Sequence, residues 1–527
     1  MSTSTQTPET TSSVDKVVAG VSAGSLGLFV AAAVAAPERV GGWVATGFAK
    51  SASWFGPYWQ LLLLATFVVA LVVAATPYAR ARLGGRGTPE FGRFKWVAMI
   101  MCTLLAGGGV FWAAAEPMYH FTNTPPVFGS LPAGSDAAAD AALAQSFVHW
   151  GFLAWAILGS LGAIVMMYGA QRGMPLRPRT LLYPVLGRRV ATSWIGTAAD
   201  IVCIIAVVAG TVGPIGFLGL QVSYGLSVLF GVPDVYAVQL AVIAVLTAVA
   251  VVSVMSGINR GIQLLSRANV WLALVLMVAV LALGSVGYVL QAFVGGFGDY
   301  VQGFVTMSLY QGDAAWVSGW TVFFFGWFLG YGPLMSIFVA RISRGRTVRD
   351  LVLSTTVLPP LVTTLWFSVL GGTGIMLEQQ NPGAISGPLE QAGLPAAVMS
   401  ISAQLPLSGV VASAFLLLTI TFVATTTDSM SYCIARACSA GEHPSARLRA
   451  TWGLLMGAAA AVLISVGDGG ISALQSFIVV TAVPVGFIML PSVFAGPVYV
   501  YRLAVEQGLT GRPAAVTTAD DAASVDA

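Results

Sequence analysis

Stretches of about 20 apolar residues, each long enough to cross a bilayer as a helix, recur along this whole chain. In hydrocarbon every backbone N–H and C=O must find its partner within the protein, so segments of this kind are helices. Hydrophobic residues make up 57% of the 527 and charged residues only 9%, against about 25% charged in a soluble domain. The loops between the apolar runs are short, and no soluble domain is appended. The 60 Gly suit close helix packing in lipid. The fold class read from this is an all-α polytopic membrane protein.

Twelve spans are predicted, near 17–36, 54–76, 95–116, 144–170, 194–228, 234–256, 266–292, 318–340, 351–376, 405–435, 450–467 and 471–501. The fifth is expected to break at Gly210, Gly213, Pro214 and Gly216, and the twelfth contains Pro484 and Pro491. The 24 basic residues set the orientation. Arg80, Arg82, Arg86, Arg93 and Lys95 follow span two; Arg172, Arg177, Arg179, Arg188 and Arg189 follow span four. Arg260 and Arg267 follow span six, Arg341, Arg344, Arg346 and Arg349 span eight, and Arg436, Arg447 and Arg449 span ten. Lys16 precedes span one, and Arg502 and Arg512 follow span twelve. Arg39 and Lys50 alone fall on the other side, and the loops at 117–143, 293–317 and 377–404 hold no Lys or Arg. The positive-inside rule then places both termini in the cytoplasm. Met1 to Asp15 is Ser/Thr-rich without a basic leader, and reads as a disordered cytoplasmic tail rather than a cleaved signal.

The net charge of +3 does not suggest a nucleic-acid partner. Cys102, Cys203, Cys433 and Cys438 show no CxxC spacing, and His120, His149 and His443 are scattered, so neither a metal centre nor a disulfide framework is indicated. No nucleophile–base constellation is evident. A membrane enzyme is disfavoured and transport is favoured.

Four spans carry chemistry. Span three runs into Ala106-Gly107-Gly108-Gly109 and on to Trp112, ending at Glu116-Pro117. Gly costs about 1 kcal/mol relative to Ala in a helix interior. Three in a row suggest a discontinuous helix whose freed N–H groups hold a carboxylate and whose freed carbonyls hold a cation; a close helix crossing is the plainer alternative. Span eight is dense in aromatics. Trp327 and Tyr331 are four residues apart and share a helix face, with Phe324 and Phe328 beside them. Such faces enclose a quaternary ammonium by cation–π attraction, although a lipid-facing belt has the same pattern. Span four adds Trp150 and Trp155 after His149. Span ten carries Thr425-Thr426-Thr427-Asp428. Its hydroxyls suit Na+ unless they bond back to their own helix, and Asp428 is either a functional acid or the partner of a loop Arg.

The run Ala340-Arg-Ile-Ser-Arg-Gly-Arg-Thr-Val-Arg349, preceded by Gly319-Trp-Thr-Val-Phe, resembles the signature of the betaine/choline/carnitine transporter (BCCT) family. Ser256-Gly-Ile-Asn-Arg-Gly-Ile, Leu265-Ser-Arg-Ala-Asn269, Arg172-Gly-Met-Pro-Leu, Tyr183-Pro-Val-Leu-Gly187, Pro89-Glu-Phe and Glu116-Pro117 also fit. The resemblance implies a LeuT-like inverted repeat of five plus five helices with two additional N-terminal helices; no internal sequence repeat is visible. The chain then divides into a tail at 1–16, two peripheral spans at 17–76, a ten-helix core at 77–501 and a short cytoplasmic tail at 502–527.

The resemblance also implies a trimethylammonium or related compatible solute held by Trp150, Trp155, Trp327, Phe328 and Tyr331. Ala106, Gly107, Gly108 and Trp112 of span three complete the candidate site. This chain departs from the family pattern in three places. Leu158 stands where a Tyr is common, span eight reads Phe325-Gly326-Trp327-Phe328 instead of Trp-x-Trp-Trp, and the glycine motif is shifted. A box with fewer Trp is less electron-rich, which weakens the case for glycine betaine itself. Leu334-Met335-Ser-Ile-Phe338 is similar to the carnitine branch and makes Met335 a candidate contact, with helix packing as the alternative.

For coupling, Thr425 and Thr426, with backbone carbonyls of Cys102 and Leu105, form a candidate Na+ site. Asn269 stands where an exchanger of the family has Arg. Na+ symport is the favoured expectation. Na+-independent exchange and a non-transporting receptor are the alternatives. A homotrimer and a bacterial inner membrane are further implications. The short tail after Arg502 argues against an osmosensing C-terminal helix.

Overall fold

The computed structural model describes residues 14–105, 108–255, 259–439, 444–466 and 470–510, with the backbone alone at 102–105 and 259–264. Those residues form an all-helical bundle, with two isolated β-bridges, Val14 to Ser439 and Arg82 to Thr347. Ten helices are long and apolar enough to cross a membrane. They are Lys16–Ala35, Pro37–Ala75, Asp136–Gln171, Trp194–Phe230, Tyr236–Met255, Leu265–Leu283, Ala314–Ile342, Val348–Gln380, Ser408–Ala437 and Ile471–Glu506.

The other two predicted spans are present as helix but differ in kind. Span three is divided into Arg93–Leu105 and Gly109–Thr122, each too short to cross alone. Span eleven is Ala446–Leu463, whose first turn carries Arg447 and Arg449.

Three expectations need correction. The fifth and twelfth spans are not broken. Trp194–Phe230 runs through Pro214, and Ile471–Glu506 through Pro484, Pro491 and Pro497. Proline removes one hydrogen bond of the ladder, and neighbouring groups in a bundle can replace it. Span seven stops at Leu283, not near 292, because Ser285 caps a new helix, Val286–Gln302, by accepting from the Tyr288 N–H. The stretches taken as loops at 117–143, 293–317 and 377–404 are largely helical as well.

Outward faces are apolar, with Leu28, Val72, Val249, Trp271 and Val278 all exposed, as lipid-facing positions require. Asp200 is fully buried and accepts from the Arg179 N–H at 2.8 Å and from its Nε at 2.7 Å. Asp15, at the start of the first helix, pairs with Arg177 at 2.8 Å. The arginine signature works through carbonyls. Arg349 donates to Ala74 and Thr76 and Arg346 to Phe91, while Arg82 donates to Gly345. These bonds fasten the ends of the second and eighth spans to one another.

Span four is interrupted directly after Trp150. Gly151 has φ −95° and ψ −138°, and a Cβ there would lie 2.2 Å from the Phe147 carbonyl oxygen. The freed Phe152 N–H donates to the Tyr300 hydroxyl at 3.0 Å, so the helix that sequence placed in a loop repairs the break. Tyr300→Phe is expected to leave that N–H unsatisfied and to cost about 1–3 kcal/mol. Thermal unfolding in detergent checks this, and an unchanged midpoint would mean that the hydroxyl does not hold the break.

Candidate functional site

Gly108 sits at the gap in span three, where the chain turns into the Gly109–Thr122 helix. A Cβ on Gly108 would lie 2.8 Å from Trp327 Cη2, 3.1 Å from Trp112 Cδ1 and 3.4 Å from Trp150 Cη2. Rings from spans three, four and eight therefore converge on one backbone interruption. Trp150 packs edge-on to Trp327 at 5.9 Å and to Phe328 at 5.3 Å between centroids, and Trp327 and Phe328 are nearly parallel at 6.1 Å. Phe217 closes one flank against Trp112 and Trp327, and Phe367 lies against Trp150.

Trp327 is held by an unusual partner. Its Nε1 donates to the Gly210 carbonyl at 3.0 Å. Gly210 is four residues before Pro214, which has no N–H to offer that carbonyl. The proline thus frees an acceptor inside an intact helix, and the indole takes it. Tyr331 lies one turn on, its ring against Gly210 and its hydroxyl 3.3 Å from Thr211 Oγ1. A π-helical turn at 318–322 precedes these residues, a feature that often re-aims side chains at functional sites.

Some predicted residues lie elsewhere. Trp155 is buried in the short helix Phe152–Gly159, but among the described residues no ring contact joins it to Trp150 or Trp327. Met335 is fully buried two turns beyond Trp327, about 12 Å along the helix. Ala106 and Gly107 lie outside the described residues, as do the side chains of Cys102 and Leu105.

At the candidate cation site Thr425 accepts from Asn269 Nδ2 at 3.2 Å and donates to the Thr421 carbonyl. The Thr426 hydroxyl is buried and has no partner among the described residues. Asp428 takes the structural role weighed for it, accepting from Arg449 at 2.8 Å.

The sequence reading missed a polar cluster behind the box. Glu116, His120 and His149 read as separate features, yet their ligand-type atoms lie within 4.8 Å of one another, all fully buried. Trp150 Nε1 donates to Glu116 Oε2 at 2.9 Å, and His149 Nδ1 meets Oε1 at 2.5 Å. The available signal was an intramembrane Glu four residues before a His, which is costly unless it has a task.

The family model for BCCT, the betaine/carnitine/choline family transporters, matches residues 17–503. The chain belongs to this family. It is 49% identical over 485 residues to glycine betaine transporter 2 of Vibrio parahaemolyticus, covering 92% of this chain and 90% of that one. It is 32% identical to a probable glycine betaine transporter of Desulfitobacterium hafniense, over 88% and 93% of the two chains. It is 30% identical to an ectoine/hydroxyectoine transporter of Virgibacillus pantothenticus, over 91% and 95%. This BCCT protein is an integral membrane transporter and not an enzyme.

Proposed function

We propose that the protein imports a glycine-betaine-like zwitterion by Na+-coupled alternating access. The observation that carries this reading is the convergence of Trp150, Trp327 and Phe328 on the interruption at Gly108. Aromatic faces attract a methylated ammonium without a carboxylate of opposite charge in contact. The helix start beside them offers N–H groups to the carboxylate of the same molecule. One end of a betaine needs each of these surroundings. The names of the relatives support glycine betaine over carnitine, as does the distance of Met335 from the rings.

The proposed frame is that of twelve spans, the last ten forming a LeuT-like five-plus-five core, in a bacterial plasma membrane with both termini cytoplasmic. A homotrimer is the proposed assembly. For coupling, a hard cation takes oxygen ligands, and the buried unpartnered Thr426 hydroxyl beside Thr425 is a fitting donor. Asn269 carries no charge that would stand in for the cation, which favours symport over Na+-independent exchange.

Uptake of radiolabelled glycine betaine, choline and carnitine into proteoliposomes tests the reading. Accumulation of glycine betaine only under an inward Na+ gradient is expected. Uptake that requires internal substrate instead of Na+ would make the protein an exchanger. Binding without uptake or counterflow would make it a receptor. No uptake of any of the three would mean that the box takes another solute. Thr426→Val should raise the Na+ concentration for half-maximal uptake by about tenfold, the equivalent of about 1.4 kcal/mol. An unchanged Na+ dependence would remove Thr426 from the site.

A further inference from the structure

Span eight of this chain has Phe325 and Phe328 where the family pattern has Trp, yet Trp150 has a neighbour that compensates. Glu116 is fully buried about two turns from the Gly108 interruption. Its Oε2 accepts the Trp150 indole N–H at 2.9 Å. Its Oε1 faces His149 Nδ1. On the other side of that imidazole, Gln145 Nε2 and Thr321 Oγ1 each lie 3.0 Å from Nε2. With the Gln145 amide nitrogen facing it, Nε2 is assigned as the acceptor, which assigns the imidazole proton to Nδ1, on the side of Glu116. Both carboxylate oxygens then receive N–H donors, the arrangement that suits the ionised form. A metal ion fits this cluster poorly. Glu116 and His149 already spend their ligand atoms on each other, on Trp150 and on span eight, which leaves His120 alone.

We propose that Glu116 is a specificity-determining positioning residue that acts through Trp150. An indole donating its N–H to a carboxylate is drawn toward the indolide charge distribution. Its ring face becomes more negative and a better seat for a cation. The carboxylate also fixes the ring plane, with Phe328 and Trp327 at its edges. The buried negative charge thus reaches the ligand by way of the ring, without touching it. The consequence is chemical selectivity for trimethylammonium over a group of the same shape and no charge.

This inference rests on the proposed function, and its test separates the two. Glycine betaine and 3,3-dimethylbutanoate differ only in N+ against C at the branching atom. Their dissociation constants are measured by calorimetric titration of purified full-length protein in detergent, with Na+ present. Wild type should prefer glycine betaine. Glu116→Gln keeps an acceptor for the indole and removes the charge. It should weaken glycine betaine about tenfold and leave the isostere, an anion without the cationic centre, within about twofold, so the preference falls about tenfold. An equal loss for both ligands would make Glu116 a packing residue and overturn the proposal, as would an unchanged preference. If wild type shows no preference at all, the cation box itself is wrong and both readings fall. If Glu116→Gln does not yield folded protein, Trp150→Phe removes the N–H that transmits the charge. It should lose the preference likewise, and a full preference in that variant would overturn the proposal.

Discussion

Gly108→Ala is expected to weaken glycine betaine binding by about 10- to 100-fold, or about 1.4–2.7 kcal/mol, and to leave the protein folded. Gly108 has φ 179° and ψ −6°, outside the left-handed region that favours glycine, so handedness does not decide the effect of the substitution. What it adds is a methyl group where three indoles meet. The new carbon would stand 2.8 Å from Trp327 Cη2, closer than side-chain carbons approach, and 3.4 Å from Trp150 Cη2. Trp327 is pinned through its Nε1 to Gly210, and Trp150 through its own to Glu116. Neither ring can retreat without breaking a buried hydrogen bond, so the methyl group takes ligand space instead. Calorimetric titration for binding and a melting curve for folding check the two halves of the statement. Wild-type affinity in Gly108→Ala would place the solute elsewhere.

The second large effect concerns stability. Arg179→Ala should destabilise the protein by about 3–5 kcal/mol. Asp200 is fully buried and depends on Arg179 for its two short hydrogen bonds, one from the backbone and one from Nε. Arg177 approaches no nearer than 3.9 Å. Removing the side chain leaves a charge in a medium that solvates it poorly, which costs far more than the intact pair contributes. The alanine variant retains the backbone N–H bond, so Asp200 keeps half its hydrogen-bond partners but loses its nearest counter-charge, leaving Arg177 at 3.9 Å. A fall of the unfolding midpoint in detergent, larger than that of Tyr300→Phe, is expected. Arg179→Lys should recover only part of it, because an ammonium cannot reproduce the fork that also reaches the Ala191 carbonyl. A midpoint equal to wild type for Arg179→Ala would show that Asp200 is solvated or protonated in the folded state.

Much of this was legible from the chain alone, because hydrocarbon imposes a length on every span and the arginines mark the ends. The convergence of Trp150 and Trp327 followed from motif, and so did the discontinuity at the glycine run. What was not legible depends on groups far apart in sequence. Trp194–Phe230 was read as broken because Gly and Pro are poor helix formers in isolation; packing overrides that when a neighbour such as Trp327 repays the lost hydrogen bond. Val286–Gln302 was hidden because an amphipathic helix of 17 residues has neither the length nor the uniform apolarity of a span. His149 and Glu116 are 33 residues apart, and no spacing rule joins them. Trp155 was grouped with Trp150 by motif, and the break at Gly151 lies between them, with no ring contact joining the two among the described residues.

The pairing of Pro214 with Trp327 has a bearing on how this protein would respond to engineering. Replacing a mid-helix proline restores a backbone hydrogen bond and removes a steric conflict. Here the restored N–H of residue 214 would compete for the same Gly210 oxygen that anchors Trp327, an indole of the proposed site. A screen that scores only survival on heating would favour that change and slacken the site. In this helix the imperfection belongs to the working parts, and durability and affinity pull on one oxygen atom.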